Sequence, residues 1–440
     1  MSARSLAARA VSTVVLILGF AVPARAQDPG DVRLGITYTP GYVPVLAVDV
    51  ESDPSLAEIA TSIEGILRTD LDYSDHFEIQ PLPDSLHATS PINYGLLNQL
   101  GVVWLVSGAV LGSPTQPIIR VTLYDVVYSE LRNVQAFTLP SPSSPAFRMA
   151  VHRVSDAVVE WTTGEPGIAA TRIAFRRVGE DGESDVWMID SDGEGLRRLT
   201  SHQTLVFSPA WSPDGRHLLY VAYVDGQPHV FELTVASGQR RLISAEPGLN
   251  ITPTYSPDGR RILVARTTGD HTEVYELQRE PLCCGRRVTQ TSGGDALAGS
   301  YAPGGNRMAF VASPLVQPHV YVQDVNGGSP QIISRYVFGE RGYAASPDWS
   351  PRGDRIAYHA WVDEVFQIVA VDPDGGSRRV LTSRGSNEDP SWAPDGRHLV
   401  FSSKGSMGNA LLILDTVSGR IRTLTSGRRD QLPDWSPPLD

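Results

Sequence analysis

The sequence predicts a mixed fold: an N-terminal α/β domain followed by an all-β six-bladed β-propeller that the C-terminal strand closes. Three observations predict it. One phrase recurs six times, as Trp211-Ser-Pro-Asp-Gly-Arg216, Tyr255-Ser-Pro-Asp-Gly-Arg260, Tyr301-Ala-Pro-Gly-Gly-Asn306, Trp349-Ser-Pro-Arg-Gly-Asp354, Trp392-Ala-Pro-Asp-Gly-Arg397 and Trp435-Ser-Pro-Pro438. The spacings of 44, 46, 48, 43 and 43 residues match a four-stranded propeller blade. The two ends of the repeat region are complementary fragments, three strands without a phrase at one end and a phrase without strands at the other.

The phrase has the chemistry of a hairpin. Pro sets φ at the first corner, Asp can accept from the turn backbone, and Gly takes a positive φ at no steric cost. The preceding aromatic ends a strand and is expected to fill the wedge between blades. Each phrase leads into an apolar strand (Leu218–Val221, Ile262–Ala265, Met308–Val311, Ile356–His359, Leu399–Ser402). An alternating third strand and a polar fourth strand follow, as in His229–Leu233 and Arg240–Ile243. The sixth phrase has no strands after it, whereas Arg172–Phe175, Val186–Ile189 and Leu196–Leu199 have no phrase before them. Leu432–Trp435 is therefore expected to pair with Ile173–Phe175 and leave no open edge in the ring.

Residues 1–26 read as a cleaved signal peptide. Arg4 and Arg9 precede the apolar run Val11–Val22, and Ala24-Arg25-Ala26 forms a small-residue cleavage site. The run is shorter than the roughly 20 residues a membrane span needs. An extended segment is assigned to 27–38, the α/β domain to 39–166 and the propeller to 171–440. In the α/β part, Val45–Val50, Gly101–Val110 and Ile118–Val127 read as strands. Asp53-Pro54 is expected to cap a helix with Leu56, Ile59, Ile63, Ile66 and Leu67 on one face. Ser144-Pro145 opens a second helix with the stripe Phe147, Val151, Val154, Val158 and Trp161, ended by Gly164.

Composition and motifs narrow the function. Net charge is −12, and loss of Arg4, Arg9 and Arg25 takes it to −15, which opposes nucleic acid and anionic lipid. No partner of either kind and no direct membrane insertion are expected. The only cysteines, Cys283 and Cys284, are adjacent, too few for a zinc site; a vicinal disulfide and two reduced thiols are both open readings. G-x-S-x-G, H-E-x-x-H, P-loop and dinucleotide-type motifs are absent, and the histidines are scattered among blades. No catalytic residues, metal or cofactor are assigned.

What remains are the loops entering the innermost strands, at Leu205–Ala210, Leu249–Thr254, Asp295–Ser300, Tyr343–Asp348, Ser386–Ser391 and Arg428–Pro433. They gather around one mouth of the channel and carry Asn250, Thr252, Asp295, Asn387, Glu388, Asp389, Arg429 and Asp430. A polar, mostly acidic rim on a rigid scaffold suits docking of a folded partner.

These residues together resemble the TolB family of the Tol–Pal envelope system. The most specific matches are Ser155-Asp-Ala-Val158, Thr163-Gly164, Thr171-Arg-Ile-Ala-Phe175, Phe401-Ser-Ser-Lys-Gly-Ser-Met-Gly408, Pro433-Asp-Trp-Ser-Pro437 and the start Asp31-Val-Arg-Leu-Gly-Ile36. The resemblance implies a periplasmic, non-enzymatic adaptor, monomeric alone. Its propeller mouth would bind the Pal lipoprotein. Asp31, Val32, Arg33, Leu34, Gly35 and Ile36 would engage TolA, in support of outer-membrane integrity and constriction at division. The alternative is a periplasmic propeller hydrolase or lyase with a site in the central channel.

Overall fold

The computed structural model describes residues 42–439 apart from 84–85, 88–90, 292–293, 315–316, 337–341, 406–407 and 427–428. The expected signal peptide and the segment Asp31–Ile36 lie outside the described residues.

The chain enters through strand β1 (Val45–Ser52), helix α1 (Ala57–Tyr73), the short strand β2 (Glu78–Ile79) and helix α2 (Tyr94–Gln99). Strands β3 (Val102–Ser113), β4 (Gln116–Asp125) and β5 (Glu130–Thr138) and helix α3 (Phe147–Thr163) follow. The five strands form one sheet in the order β2-β1-β3-β4-β5. β1 runs parallel to β2 and β3, and the other two pairings are antiparallel.

One face of the sheet buries Leu46, Val48, Val106, Val121 and Leu123 against Ile63 and Leu67 of α1 and Val151, Val154 and Val158 of α3. Both helices thus use the stripes their periodicity marks. Gly164 ends α3 in the left-handed region at φ 74°, with its N–H bonded to Glu160 O. The start of α1 differs from expectation. Asp53 makes no side-chain cap; Pro54–Leu56 forms a 3-10 turn, closed by Leu56 N–H donating to Asp53 O at 2.9 Å.

The remaining strands form six four-stranded sheets, a six-bladed propeller closed by the C-terminal strand as the repeat predicts. Blade one runs Val206–Trp211, His217–Val224, Gln227–Thr234 and Arg240–Ser244 from the channel outward, and blades two to five repeat it. In blade six the innermost strand is Arg429–Trp435, paired with Arg172–Val178 through Trp435↔Ile173 and Asp434↔Ala174. Ser184–Asp190 and Arg197–Arg198 complete it.

The wedge aromatics Trp211, Tyr255, Tyr301, Trp349, Trp392 and Trp435 are all buried. In the turns, Asp214, Asp258 and Asp395 accept from the N–H of Arg216, Arg260 and Arg397 at 3.0, 3.1 and 2.8 Å. The outer edges of blades six, one and two are guarded by arginines bound to third-strand carboxylates: Arg198–Asp185, Arg241–Glu232, Arg286–Glu276 and Arg287–Glu273. Charge on short outer strands keeps them from pairing with other chains.

Val43–Asp440 forms one compact unit, so helices and ring are packed together. Asp156 of α3 accepts from Ala169 N–H and Ala170 N–H at 2.8 and 2.9 Å, which holds the connector. Gly167 lets the chain pass: a Cβ there would sit 2.1 Å from Asp156 Oδ1. The C-terminal strand is fastened at the same place. Trp435 Nε1–H donates to Thr171 Oγ1 at 2.8 Å, and Leu439 N–H to Ala170 O at 2.8 Å.

Two outcomes test this closure. Deleting residues 429–440 removes the innermost strand of blade six and is expected to abolish the cooperative thermal transition seen by near-UV circular dichroism. Trp435→Ala should lower the free energy of denaturant unfolding by about 3–5 kcal/mol, and a loss below about 1 kcal/mol would show that closure does not hold the ring.

Candidate functional site: the channel and its mouth

The six innermost strands share an irregularity that shapes the channel. Each ladder slips one step before the wedge aromatic, between Phe207/Ala210, Ile251/Thr254, Leu297/Ser300, Ala345/Asp348, Glu388/Ser391 and Gln431/Asp434. In five blades a left-handed residue followed by proline marks the slip: Ser208 (φ 49°), Thr252 (49°), Ser346 (50°), Asp389 (55°) and Leu432 (52°). Blade three has Ala298-Gly299 in this place. A bulge turns the next side chains away from the plain pleat, and here it lines a cavity of about 160 Å³ with Thr252, Asp348, Asp389 and Asp434.

At four of the six junctions the residue immediately before the wedge aromatic reaches the following blade. Asp434 Oδ2 accepts from Trp211 N–H at 2.7 Å, and Asp348 Oδ2 from Trp392 N–H at 2.8 Å. Ser300 Oγ accepts from Trp349 N–H and Ser391 Oγ from Trp435 N–H, both at 3.0 Å. The two junctions whose wedge residue is tyrosine are held through the ring instead. Tyr255 and Tyr301 donate their hydroxyls to Glu232 and Glu276 of the preceding blade, both at 2.7 Å.

Burial pushes the Asp348 carboxyl up to about 6, against the pull of its hydrogen bonds. It pushes Asp434 up to about 8, with the nearby charge of Asp348 adding to the rise. Both side chains face the cavity, yet protein surrounds them closely enough to disfavour the charge. Asp389 differs: it takes a hydrogen bond from Ser346 Oγ at 2.8 Å, and its N–H donates to His359 Nδ1 at 3.2 Å. Burial holds that histidine below its usual range, so it stays neutral and can accept.

The mouth residues named from the sequence separate into two groups. Thr252 and Asp389 line the cavity, Glu388 is half-buried beside it, and Asp295 and Arg429 are exposed. Burial and the Asp389 charge push Glu388 above the usual carboxylate range. Asn250, Asn387 and Asp430 require correction: they are buried and turned inward, and cannot face a partner.

Asn250 ties its own loop together, accepting from Ser244 Oγ at 2.5 Å and donating to Glu246 O at 2.6 Å. Asn387 donates to Gln367 Oε1 at 3.0 Å and Arg384 O at 2.9 Å. Asp430 takes both arms of Arg177 at 2.6 and 2.8 Å, and that guanidinium lies over the Trp187 ring at 4.9 Å. These three brace the mouth. Sequence reasoning missed Asp348 and Asp434, whose signal is the proline two residues before the wedge aromatic in five blades.

Among the described residues no histidine or cysteine lines the cavity. One trio of metal-type ligands lies elsewhere, at Asp70, His152 and Asp192. There the Arg148 guanidinium already lies on the Asp192 carboxylate. Cys283 and Cys284 form a vicinal disulfide on the outer strand of blade two. No helix among the described residues is long and apolar enough to cross a membrane.

The family described as the TolB beta propeller domain matches residues 159–439. The Tol-Pal system protein TolB of Roseobacter denitrificans is 30% identical over 257 residues, covering 54% of this chain and 56% of that protein. Its counterpart in Legionella pneumophila is 30% identical over 220 residues, covering 49% and 51%. The chain thus aligns with about half the length of these curated relatives. The crystal structure of TolB from Acinetobacter baumannii shares the fold with a TM-score of 0.79 at 24% identity, covering 90% of this chain and 98% of that one.

The raised carboxyls set a pH dependence. Between the ordinary carboxylate range and their folded values the native state holds protons that the unfolded chain has lost. Their contribution is therefore complete at low pH and is lost as pH rises through about 6 for Asp348 and about 8 for Asp434. Asp434→Asn keeps an oxygen for Trp211 N–H and removes the titration. Its stability relative to the parent should rise by more than about 1 kcal/mol between pH 5 and pH 9; a difference that stays flat with pH would contradict a protonated Asp434.

Proposed function

The chain belongs to the TolB β-propeller family, and we propose that it acts as a non-enzymatic periplasmic adaptor of a Tol–Pal envelope complex. On this reading the channel mouth receives the periplasmic domain of a Pal-like peptidoglycan-associated lipoprotein. The segment Asp31–Ile36, after removal of a signal peptide at 1–26, engages a TolA-like inner-membrane protein. The assembly would then tie the outer membrane to the layers beneath it and draw it inward at division.

The observation that carries the reading is the division of labour among the mouth residues. Buried Asn250, Asn387 and Asp430 fix the loops, while Asp295 and Arg429 are exposed and Glu388 is half-buried beside the cavity. A rim held by internal bonds loses little entropy on binding, and its carboxylates steer a partner of opposite charge. The curated relatives are named Tol-Pal system proteins, which supports the same role.

The test is titration calorimetry of the full chain with the periplasmic domain of the same organism's Pal. Binding is expected at a Kd of about 1 µM or tighter. Glu388→Lys should weaken it about tenfold, mostly through a slower association rate that added salt masks. Absence of binding at about 100 µM would overturn the Pal assignment.

A further inference from the structure

The α/β layer and the ring meet through a charged junction that the adaptor reading does not use. The last turn of α1 and the turn after it present Asp72, Asp75 and His76 to blade five, which answers with Asp395, Arg397, His398, Asp415 and Arg420. At its centre His398 is fully buried. Its Nδ1 lies 2.6 Å from Asp395 Oδ2 in its own blade, and its Nε2 lies 3.1 Å from Asp75 Oδ2 across the junction. Ionised carboxylate oxygens only accept hydrogen bonds, so both contacts form together only if both ring nitrogens carry a proton.

We propose that the His398 imidazolium is a proton-held latch that fastens the α/β layer to the propeller and lets go of Asp75 when the ring loses its proton. The surrounding groups are arranged to keep that proton. Burial works against it, but the hydrogen bonds to Asp395 and Asp75 and the charges of Asp395 and Asp415 outweigh burial and raise the ring above its ordinary value. The two nearby cations are already engaged. Arg397 is bidentate to Asp415 at 2.7 and 2.8 Å and donates to Asp75 O at 2.8 Å; Arg420 binds Asp72 and the other oxygen of Asp75.

His76 does not compete for the proton. Burial and the charge of Arg397 bring it down to about 4, and as a neutral ring it accepts from Arg397 Nη1 at 3.0 Å. A similar histidine, His152 of α3, bonds Asp70 at 2.8 Å, but its Nε2 stops 3.8 Å from Asp192 of the propeller. The latch is therefore assigned to His398 alone.

The sign follows from linkage: a ring whose folded pKa lies above that of the unfolded chain stabilises fully below the unfolded value and loses that stabilisation as pH rises through the folded one. The test is histidine side-chain NMR on the full chain, with the His398 signal assigned by His398→Gln, alongside hydrogen exchange at residues 70–76. The expected results are two protonated ring nitrogens at pH 6 and a pKa above 6.5. Protection at 70–76, corrected for intrinsic exchange, should fall about tenfold per pH unit from 6.5 up to that pKa.

Asp75→Asn keeps the shape and removes the charge. It should lower the His398 pKa and flatten the pH dependence of exchange, and it serves as the comparison if His398→Gln does not fold. A His398 pKa at or below 6.5, or protection at 70–76 that is unchanged while His398 titrates, would overturn the latch.

Discussion

The ring depends on the six interfaces between neighbouring blades, each a buried apolar cluster that a wedge aromatic completes. Each blade buries its wedge aromatic against the preceding blade, and each contact also has a polar fastening. Where the wedge is tryptophan, a carboxylate or hydroxyl from the preceding blade receives its backbone N–H. Where it is tyrosine, the phenol reaches a glutamate bound by arginines. The hydrophobic part supplies most of the stability and is undirected; the hydrogen bond fixes the angle between sheets. The sixth contact spans the chain, joining Trp435 to Ser391 on one side and Asp434 to Trp211 on the other. The ring thus closes on the same chemistry that builds it.

The carboxylates fall into distinct environments. Asp348 and Asp434 are shielded and hold protons beyond the usual acid range. Asp415 and Asp430 are buried but ion-paired with Arg397 and Arg177, and the Arg397 pairing brings the Asp415 carboxyl well below its ordinary value. Asp295 stays at the surface. A net charge of −12 therefore says little about the mouth by itself; what matters is which acids the fold leaves free.

The ring was legible in the sequence because its period, turn chemistry and end fragments all repeat, and repetition survives noise at any one site. The amphipathic helices were legible through their stripes. The rest depends on contacts distant in sequence. β5 carries exposed residues nearly throughout and has no alternating apolar pattern, so only its pairing with β4 makes it a strand. The 3-10 entry to α1 replaces a cap that Asp53 could have provided. At the mouth, position in a loop suggested exposure for Asn250, Asn387 and Asp430. Their burial is set by Ser244, Gln367 and Arg177, partners that no local pattern announces.

The left-handed bulge before each channel proline separates address from scaffold. Serine, threonine, aspartate and leucine all occupy that position in this one chain, at φ values between 49° and 55°. The backbone there is imposed by the ring and indifferent to the side chain it presents, and the cost of a positive φ is met in folding. Duplicated blades can therefore diverge in chemistry at the channel while remaining interchangeable as building units. One substitution at such a position changes the group presented to the cavity and leaves the backbone path as it is.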